Sequence, residues 1–120
     1  MKRGTARVPG KVEIFLRDGR RCLKCGSRGD LTVDHVVSKC ALKKRLSQKM
    51  YAVFCSESVL RGHANAQTLC SPCNYRKGAR CVDYRPEPLR GALLALLEEF
   101  HVQIEVSASS STPSMTSTSA

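Results

Sequence analysis

Two Cys-x-x-Cys pairs constrain this chain more than any other feature of its sequence. Cys22 and Cys25 form the first pair, which Gly26 follows, and Cys70 and Cys73 form the second after 44 intervening residues. A tight turn in each pair aims two thiolates at one ion, and two such pairs complete the tetrahedral four-thiolate site of a structural zinc. A redox dithiol is the competing interpretation of a single pair, but two pairs that flank one unit favour zinc.

The composition is typical of a small domain that needs a staple. The 120 residues include no Trp and only three Phe and three Tyr, so the core is small. Residues 1–20 contain no apolar signal-peptide region, and the apolar run 92–97 is too short to cross a membrane. The sequence therefore predicts a cytoplasmic protein with reduced thiols and no membrane segment. Three further cysteines do not fit the spacing and are interpreted as buried apolar residues or unpaired thiols: Cys40, Cys55 and Cys81.

The charge is strongly basic and unevenly distributed. Residues 1–90 hold all 20 Lys and Arg and 7 acidic residues, a net of +13 (20 minus 7), whereas residues 91–120 hold 3 acidic residues and no Lys or Arg. Such a domain is expected to bind a polyanion, and DNA is the predicted partner. The alternative is a basic surface that only keeps the protein soluble.

Composition and periodicity divide the chain into four parts. We expect a flexible basic arm at 1–10, one domain at 11–85, an amphipathic C-terminal helix with an extension at 86–105, and a disordered Ser/Thr-rich tail at 106–120.

Local patterns predict the elements within these parts. The expected elements are a short helix at 11–17, a strand at 31–37, a basic amphipathic helix at about 40–50, a strand at 65–69, a helix with Ser71 as N-cap, Pro72 in first position and Gly78 as its stop, and an amphipathic helix from Pro88 to about His101.

The strand at 31–37 carries a carboxylate beside an imidazole. Asp34 and His35 are adjacent, so on a regular strand they point to opposite faces and have different tasks. One interpretation is that Asp34 holds a divalent metal and His35 activates a water. The other is an inert, hydrogen-bonded Asp-His pair.

Together these segments resemble the HNH endonuclease family, whose small zinc-stapled members occur in phages and bacteria. The resemblance covers roughly residues 11–80 and rests on three stretches in order: Arg17-Asp18-Gly19-Arg20-Arg21-Cys22-x-x-Cys25-Gly26, Leu31-Thr32-Val33-Asp34-His35-Val36, and Asn65-x-Gln67-Thr68-Leu69-Cys70-x-x-Cys73-Asn74-x-x-Lys77-Gly78. It implies a small α+β fold: a ββα-metal, treble-clef-like core at 11–85, stapled by a four-cysteine zinc site, with an added C-terminal helix.

The resemblance also implies a role for each site residue. His35 matches the general base, and Asn65 matches the residue that steadies the loop between the strands and so orients His35. Asn74 stands where the family's final His is expected, an HNN variant, and would bind the catalytic metal together with Asp34. The four cysteines of the two pairs match the zinc staple. An amide oxygen in place of an imidazole favours a hard cation, Mg²⁺ or Mn²⁺.

Basic residues in two segments are candidates for DNA contact. Arg76, Lys77 and Arg80 would lie on the side of the last core helix and contact flanking phosphates. Lys43, Lys44 and Arg45 could follow the phosphate backbone, although a solvated helix face explains them equally well.

Two non-enzymatic functions remain open at this stage. One is a zinc-ribbon module that binds nucleic acid without cleaving it. The other is a partner-binding protein, or a homodimer, that uses the leucine-rich face at 89–100, although simple core packing explains that face equally well.

Overall fold

The computed structural model describes residues 8–108, which form a small α+β domain of five helices and short strands. The elements in chain order are α1 (Val8–Arg17), β1 (Leu31–His35), α2 (Lys39–Arg45), α3 (Gln48–Leu60), β2 (Ala66–Cys70), α4 (Ser71–Lys77), β3 (Val82–Asp83), α5 (Glu87–Glu99) and β4 (Ser107–Ala108).

The antiparallel pair β1–β2 is the platform on which the predicted site residues lie. Leu31 is opposite Cys70 at one end of the pair, and His35 is opposite Ala66 at the other. Helix α4 follows β2 without a connecting loop and lies on the face that carries Thr32 and Asp34. Helix α1 lies against the other face, where the Thr68 hydroxyl donates to the Ile14 carbonyl at 3.4 Å. The pair is therefore covered on both sides.

An ion pair at the end of α1 attaches this helix to the sheet. The Asp18 carboxylate accepts from the Thr68 backbone N–H at 2.9 Å. The neighbouring Arg17 guanidinium bonds the Asp18 carboxylate and donates to three backbone carbonyls, those of Gly62, His63 and Ala66. Arg17 thus fixes the segment that leads into β2 and carries two of the chain's polar candidates, His63 and Asn65.

The main core lies beside this pair and includes the apolar face of α5. Leu93, Leu96 and Leu97 are buried against residues of α2, α3 and the segment after β1. Phe54 of α3 packs edge-on against Phe100, with ring centroids 5.3 Å apart. Each fully buried leucine contributes about 1.5–3 kcal/mol by leaving water. Core packing within the chain therefore accounts for most of the leucine-rich face, whereas Leu94, which is outside that face, is exposed.

The predicted single helix at about 40–50 is wrong, because the segment forms two helices. Leu46 is extended at φ −120° and ψ 142°, which ends α2, and the Ser47 hydroxyl then accepts from the Met50 N–H at 3.1 Å to cap α3. Ser38 caps α2 in the same way through the Ala41 N–H. The four-residue apolar repeat concealed this break, which the Ser47 cap marks.

Smaller corrections fall at other boundaries. Cys70, not Ser71, is the N-cap of α4, because Cys70 stays extended as the last residue of β2. Residues 8–10 belong to α1 and so are not part of a flexible arm. Residues 107–108 form β4, which pairs in parallel with β3, so the predicted disordered tail starts too early. The rest of that arm and tail, residues 1–7 and 109–120, lies outside the described residues.

Within residues 8–108, no helix is both long enough and apolar enough to span a membrane.

Candidate metal centre and candidate active site

The four cysteines of the two pairs form one cluster. The sulfur atoms of Cys22, Cys25, Cys70 and Cys73 all lie within 4.8 Å of one another, and three of these residues are buried while Cys25 is exposed. Thiolates about 2.3 Å from a tetrahedral zinc are separated by roughly 3.8 Å. The Cys25 and Cys70 sulfur atoms are 3.7 Å apart, so the cluster has the size and donor set for a zinc ion. The predicted four-cysteine metal site is confirmed in this respect.

Backbone geometry prepares one thiolate for the metal. Burial raises the pKa of Cys22, but backbone N–H groups of Cys70, Cys25 and Lys24 directed at its sulfur outweigh burial and lower the pKa to about 6. Burial and the neighbouring sulfurs raise the pKa of Cys73 to about 12. One thiol thus ionises readily and the next resists, because a second negative charge would be placed beside the first. A divalent cation removes that opposition.

The cluster is at the opposite end of β1–β2 from Asp34 and His35. Cys70 pairs with Leu31, and the Leu23 backbone N–H donates to the Thr68 carbonyl at 3.0 Å, which attaches the first cysteine pair to β2. Gly26, at φ +84°, completes the turn after this pair by donating to the Cys22 carbonyl at 2.8 Å. The cluster therefore joins the 22–26 turn to the start of α4.

Asp34 is buried and already has a cationic partner. Its side chain is 6% exposed, and its carboxylate accepts from Gln67 Nε2 at 2.9 Å and from Lys77 Nζ at 3.1 Å. Burial raises the pKa of Asp34, against the lowering effect of Gln67 and Lys77. The predicted role of Lys77 as a phosphate contact is therefore wrong for this structure, because its ammonium is turned into the protein. Sequence reasoning missed this ion pair.

Asn74 is on the same side of the sheet as Asp34. Its Nδ2 donates to the Thr32 hydroxyl at 2.9 Å, and Thr32 is two residues before Asp34 on the same face of β1. Its amide oxygen has no hydrogen bond within the part of the chain that the structure describes. The two predicted ligands thus lie between β1 and α4, Asp34 on the strand and Asn74 on the helix, but Asp34 bonds Lys77 and is not bonded to Asn74.

The donor chemistry of Asp34 and Asn74 is suited to a hard cation. A carboxylate and an amide oxygen are ligands that Mg²⁺ and Mn²⁺ accept. Asp34 projects toward α4 and Asn74 projects from α4 toward β1, and the Asn74 oxygen is available. An ion at Asp34 would take the position at which the Lys77 ammonium now neutralises the carboxylate.

His35 lies on the opposite face of β1, at its exposed end. It lines a cavity of about 150 Å³ between the sheet, α1 and α3, together with residues that include Val33, Phe54, His63 and Asn65. Burial of the ring and the charge of Lys39 lower the pKa of His35, Asp34 opposes them with a smaller effect, and the charge of Lys77 adds a still smaller lowering. The imidazole is therefore neutral at pH values where an ordinary histidine is already partly charged.

Asn65 connects the chain after His35 to the start of β2. It is 5% exposed, and its side-chain amide accepts from the Val37 N–H at 2.8 Å and donates to the Val37 carbonyl at 3.0 Å. Its backbone N–H donates to the Ser58 hydroxyl of α3 at 2.9 Å, and its carbonyl accepts from the Val36 N–H at 3.0 Å. Asn65 thereby fixes the path of the two residues that follow His35.

His63 is a cavity residue to which sequence reasoning assigned no role. Its Nε2 is 3.1 Å from the Glu13 carboxylate, and its backbone is left-handed at φ +56°. In the sequence, His63 is marked only by the preceding Gly62 and by its position two residues before Asn65. Neither feature indicates the contact with Glu13.

The remaining basic candidates are exposed, as DNA contact requires. These are Lys43, Lys44 and Arg45 of α2, Arg76 of α4, and Arg80 after it. Lys43 lies over the Tyr51 ring at 5.4 Å, and Arg76 and Arg80 make local contacts that leave them at the surface.

Comparisons of the chain with protein-family models, with curated proteins and with solved structures found no match.

Proposed function

We propose that this protein is a metal-dependent HNH endonuclease that hydrolyses DNA phosphodiester bonds. The observation that carries the proposal is that the three residues lie on β1 and on the helix that packs against it, α4. Asp34 projects from β1 toward α4, Asn74 projects from α4 toward β1, and His35 follows Asp34 at the end of the strand with its side chain on the opposite face. The sequence resemblance and this arrangement point to the same residues.

His35 is the general base in this proposal. Hydrolysis of a phosphodiester needs a water that loses its proton as it attacks, and an imidazole can accept that proton only when it is neutral. The lowered pKa of His35 keeps the ring neutral around and below neutral pH. Proton transfer of this kind is worth about 10²–10⁴ in rate.

Asp34 and Asn74 would hold the catalytic Mg²⁺ or Mn²⁺. When bound, such an ion supplies charge stabilisation to the phosphate in the transition state. The protein's own contribution is to place one oxygen donor on a rigid strand and the other in the first turns of α4. The cysteine cluster includes Cys70 at the end of β2 and so holds the start of this helix in place.

The basic surface would bring DNA to this site. Lys43, Lys44, Arg45, Arg76 and Arg80 are exposed, and a net charge of +10 for the chain favours a polyanion. Contacts of this type with phosphates position the duplex and do not read its sequence.

A plasmid nicking assay tests the proposal. Zinc-loaded protein is incubated with supercoiled DNA in Mg²⁺ or Mn²⁺, and wild type is compared with His35→Asn and with the matched control His101→Asn, an exposed histidine after α5. We expect His35→Asn to lose about 10²-fold or more of the nicking rate and His101→Asn to retain it. Equal inactivity of wild type and His35→Asn across the metals tested would contradict the proposal.

A zinc-stapled nucleic-acid-binding module without catalysis is the second candidate. The Asp34–Lys77 ion pair favours it, because a carboxylate neutralised by an internal ammonium need not be a metal ligand. DNA binding in a gel-shift assay, together with no nicking in any metal, is the result that this candidate predicts.

A further inference from the structure

Lys77 is the most unusual side chain near the proposed site. It is 2% exposed, whereas lysines are almost never fully buried unless they are paired. Its ammonium is 3.1 Å and 3.3 Å from the two carboxylate oxygens of Asp34 and donates to the His35 carbonyl at 3.1 Å. These contacts provide partners for an ammonium removed from water, and all of them lie at the end of β1.

The same contacts place the ammonium where a divalent ion would bind. Gln67 Nε2, which donates to Asp34 at 2.9 Å and to the Val82 carbonyl at 2.9 Å, restrains the carboxylate from the other strand. A metal ion cannot approach these two oxygens while the ammonium lies between 3.1 and 3.3 Å from them, because the two cations would repel each other across a buried site.

We propose that Lys77 is an internal cation that competes with the divalent ion for Asp34. Metal binding is then an exchange in which the ammonium leaves the carboxylate as the ion arrives. This inference rests on the proposed function in one respect, since it takes Asp34 as a metal ligand. It adds that metal affinity is held low by a residue of the chain itself.

The location of Lys77 permits such an exchange. Lys77 is the last residue of α4, and Gly78 follows it at φ +59°, so the side chain needs to move only at a helix end. The neighbouring residues 78–80 are exposed, which gives the released ammonium access to water. A buried salt bridge that only fixes α4 would show no such response to metal.

The affinity of the zinc-loaded full chain for Mn²⁺ tests the exchange. It is measured by electron paramagnetic resonance, because the signal of the free ion decreases as Mn²⁺ binds. Three variants are compared with wild type: Lys77→Met, the double variant Asp34→Asn with Lys77→Met, and Arg80→Met. We expect Lys77→Met to bind Mn²⁺ at least 10-fold more tightly and the double variant to lose that gain. Arg80→Met removes an exposed charge nearby and is expected to change affinity less than about 2-fold.

Affinity in Lys77→Met that is no higher than in wild type, including no binding by either, would overturn the inference. If Lys77→Met does not fold, the exchange can be tested in the wild-type protein alone. Its lysines are acylated with and without Mn²⁺, and the labelling of each lysine is measured by mass spectrometry. Saturating Mn²⁺ should then raise labelling of Lys77 several-fold and leave that of the exposed Lys44 unchanged. Unchanged labelling of Lys77 would overturn the inference.

These outcomes are separable from those of the nicking assay. Nicking by wild type without a gain in Mn²⁺ affinity on removal of Lys77 rejects the exchange and keeps the endonuclease. A gain in affinity without nicking supports the exchange and rejects the endonuclease.

Discussion

The Asn65 side chain brackets the peptide groups of Val37, with its oxygen 2.8 Å from the Val37 nitrogen and its nitrogen 3.0 Å from the Val37 carbonyl oxygen. Both residues are buried, at 5% and 0% exposure, so no water replaces these bonds. The bracket fixes the chain where it leaves β1, two residues after His35. The orientation of His35 therefore depends on a residue about thirty positions further along the chain.

We expect Asn65→Ala to destabilise the protein, because it leaves the Val37 N–H and carbonyl buried without partners. An unsatisfied buried polar group costs about 1–3 kcal/mol, and this substitution leaves two such groups without a partner. The free energy of unfolding in urea measures the effect. Asn74→Ala, which removes a single half-buried bond to Thr32, is the control and should cost about 1 kcal/mol. A loss below about 0.5 kcal/mol in Asn65→Ala would show that the bracket does not stabilise the fold.

Zinc removal is expected to destabilise the domain. The cluster joins the 22–26 turn to the β2–α4 junction, so loss of the ion removes a cross-link between segments that are distant in the sequence. We expect about one zinc per chain by elemental analysis, and a lower Tm with loss of zinc in Cys73→Ser. Cys40→Ser, an exposed cysteine outside the cluster, should leave both unchanged. Purified protein without bound zinc would contradict the site.

The protonation of His35 should respond to Lys39. In zinc-loaded protein without added Mg²⁺ or Mn²⁺, we expect the His35 ring protons to titrate below the ordinary value of 6.5, since burial and the charge of Lys39 lower the pKa. Lys39→Gln removes that charge and should move the pKa upward, whereas Lys11→Gln on α1 should not. Nuclear magnetic resonance titration measures both, and an unchanged pKa in Lys39→Gln would exclude the charge effect.

The same shift has a consequence for stability. A histidine whose folded pKa is lowered binds fewer protons folded than unfolded in the interval between its folded pKa and 6.5. His35 therefore lowers the free energy of unfolding as the pH falls below 6.5. This decrease stops growing once the pH is below the folded pKa. Replacement by Asn should remove this contribution from the pH dependence of the unfolding free energy.

DNA binding should weaken with salt in proportion to the number of phosphate contacts. Each contact contributes about 0.9 to the slope of log affinity against log salt concentration. We expect Lys44→Gln and Arg76→Gln each to reduce the slope by about one unit if they contact phosphate, with a similar loss for specific and random duplexes. Lys11→Gln, an exposed lysine outside both segments, is the comparison. Unchanged slopes in the first two variants would place the DNA elsewhere.

Much of the local structure follows from short-range patterns. The alternation at 31–37, the proline after Ser71 and the leucine spacing after Pro88 each predicted an element that the structure contains, although β1 ends at His35, because these signals depend only on neighbouring residues. The break at Leu46 escaped prediction although the Ser47 cap that begins α3 marks it. The apolar repeat across the break has the same period on both sides, so periodicity alone does not reveal the interruption.

The sequence by itself determined which residues could form the four-thiolate cluster and which polar residues end β1 and begin α4. Spacing within a turn and the period of a strand are local, so they are readable without coordinates. Only the tertiary structure decided that Lys77 lies under β1 and neutralises Asp34, and that Asn65 brackets Val37. Both contacts join residues that are distant in the sequence: Asn65 is 28 positions from Val37, and Lys77 is 43 positions from Asp34. No local pattern in the sequence shows that such residues come into contact.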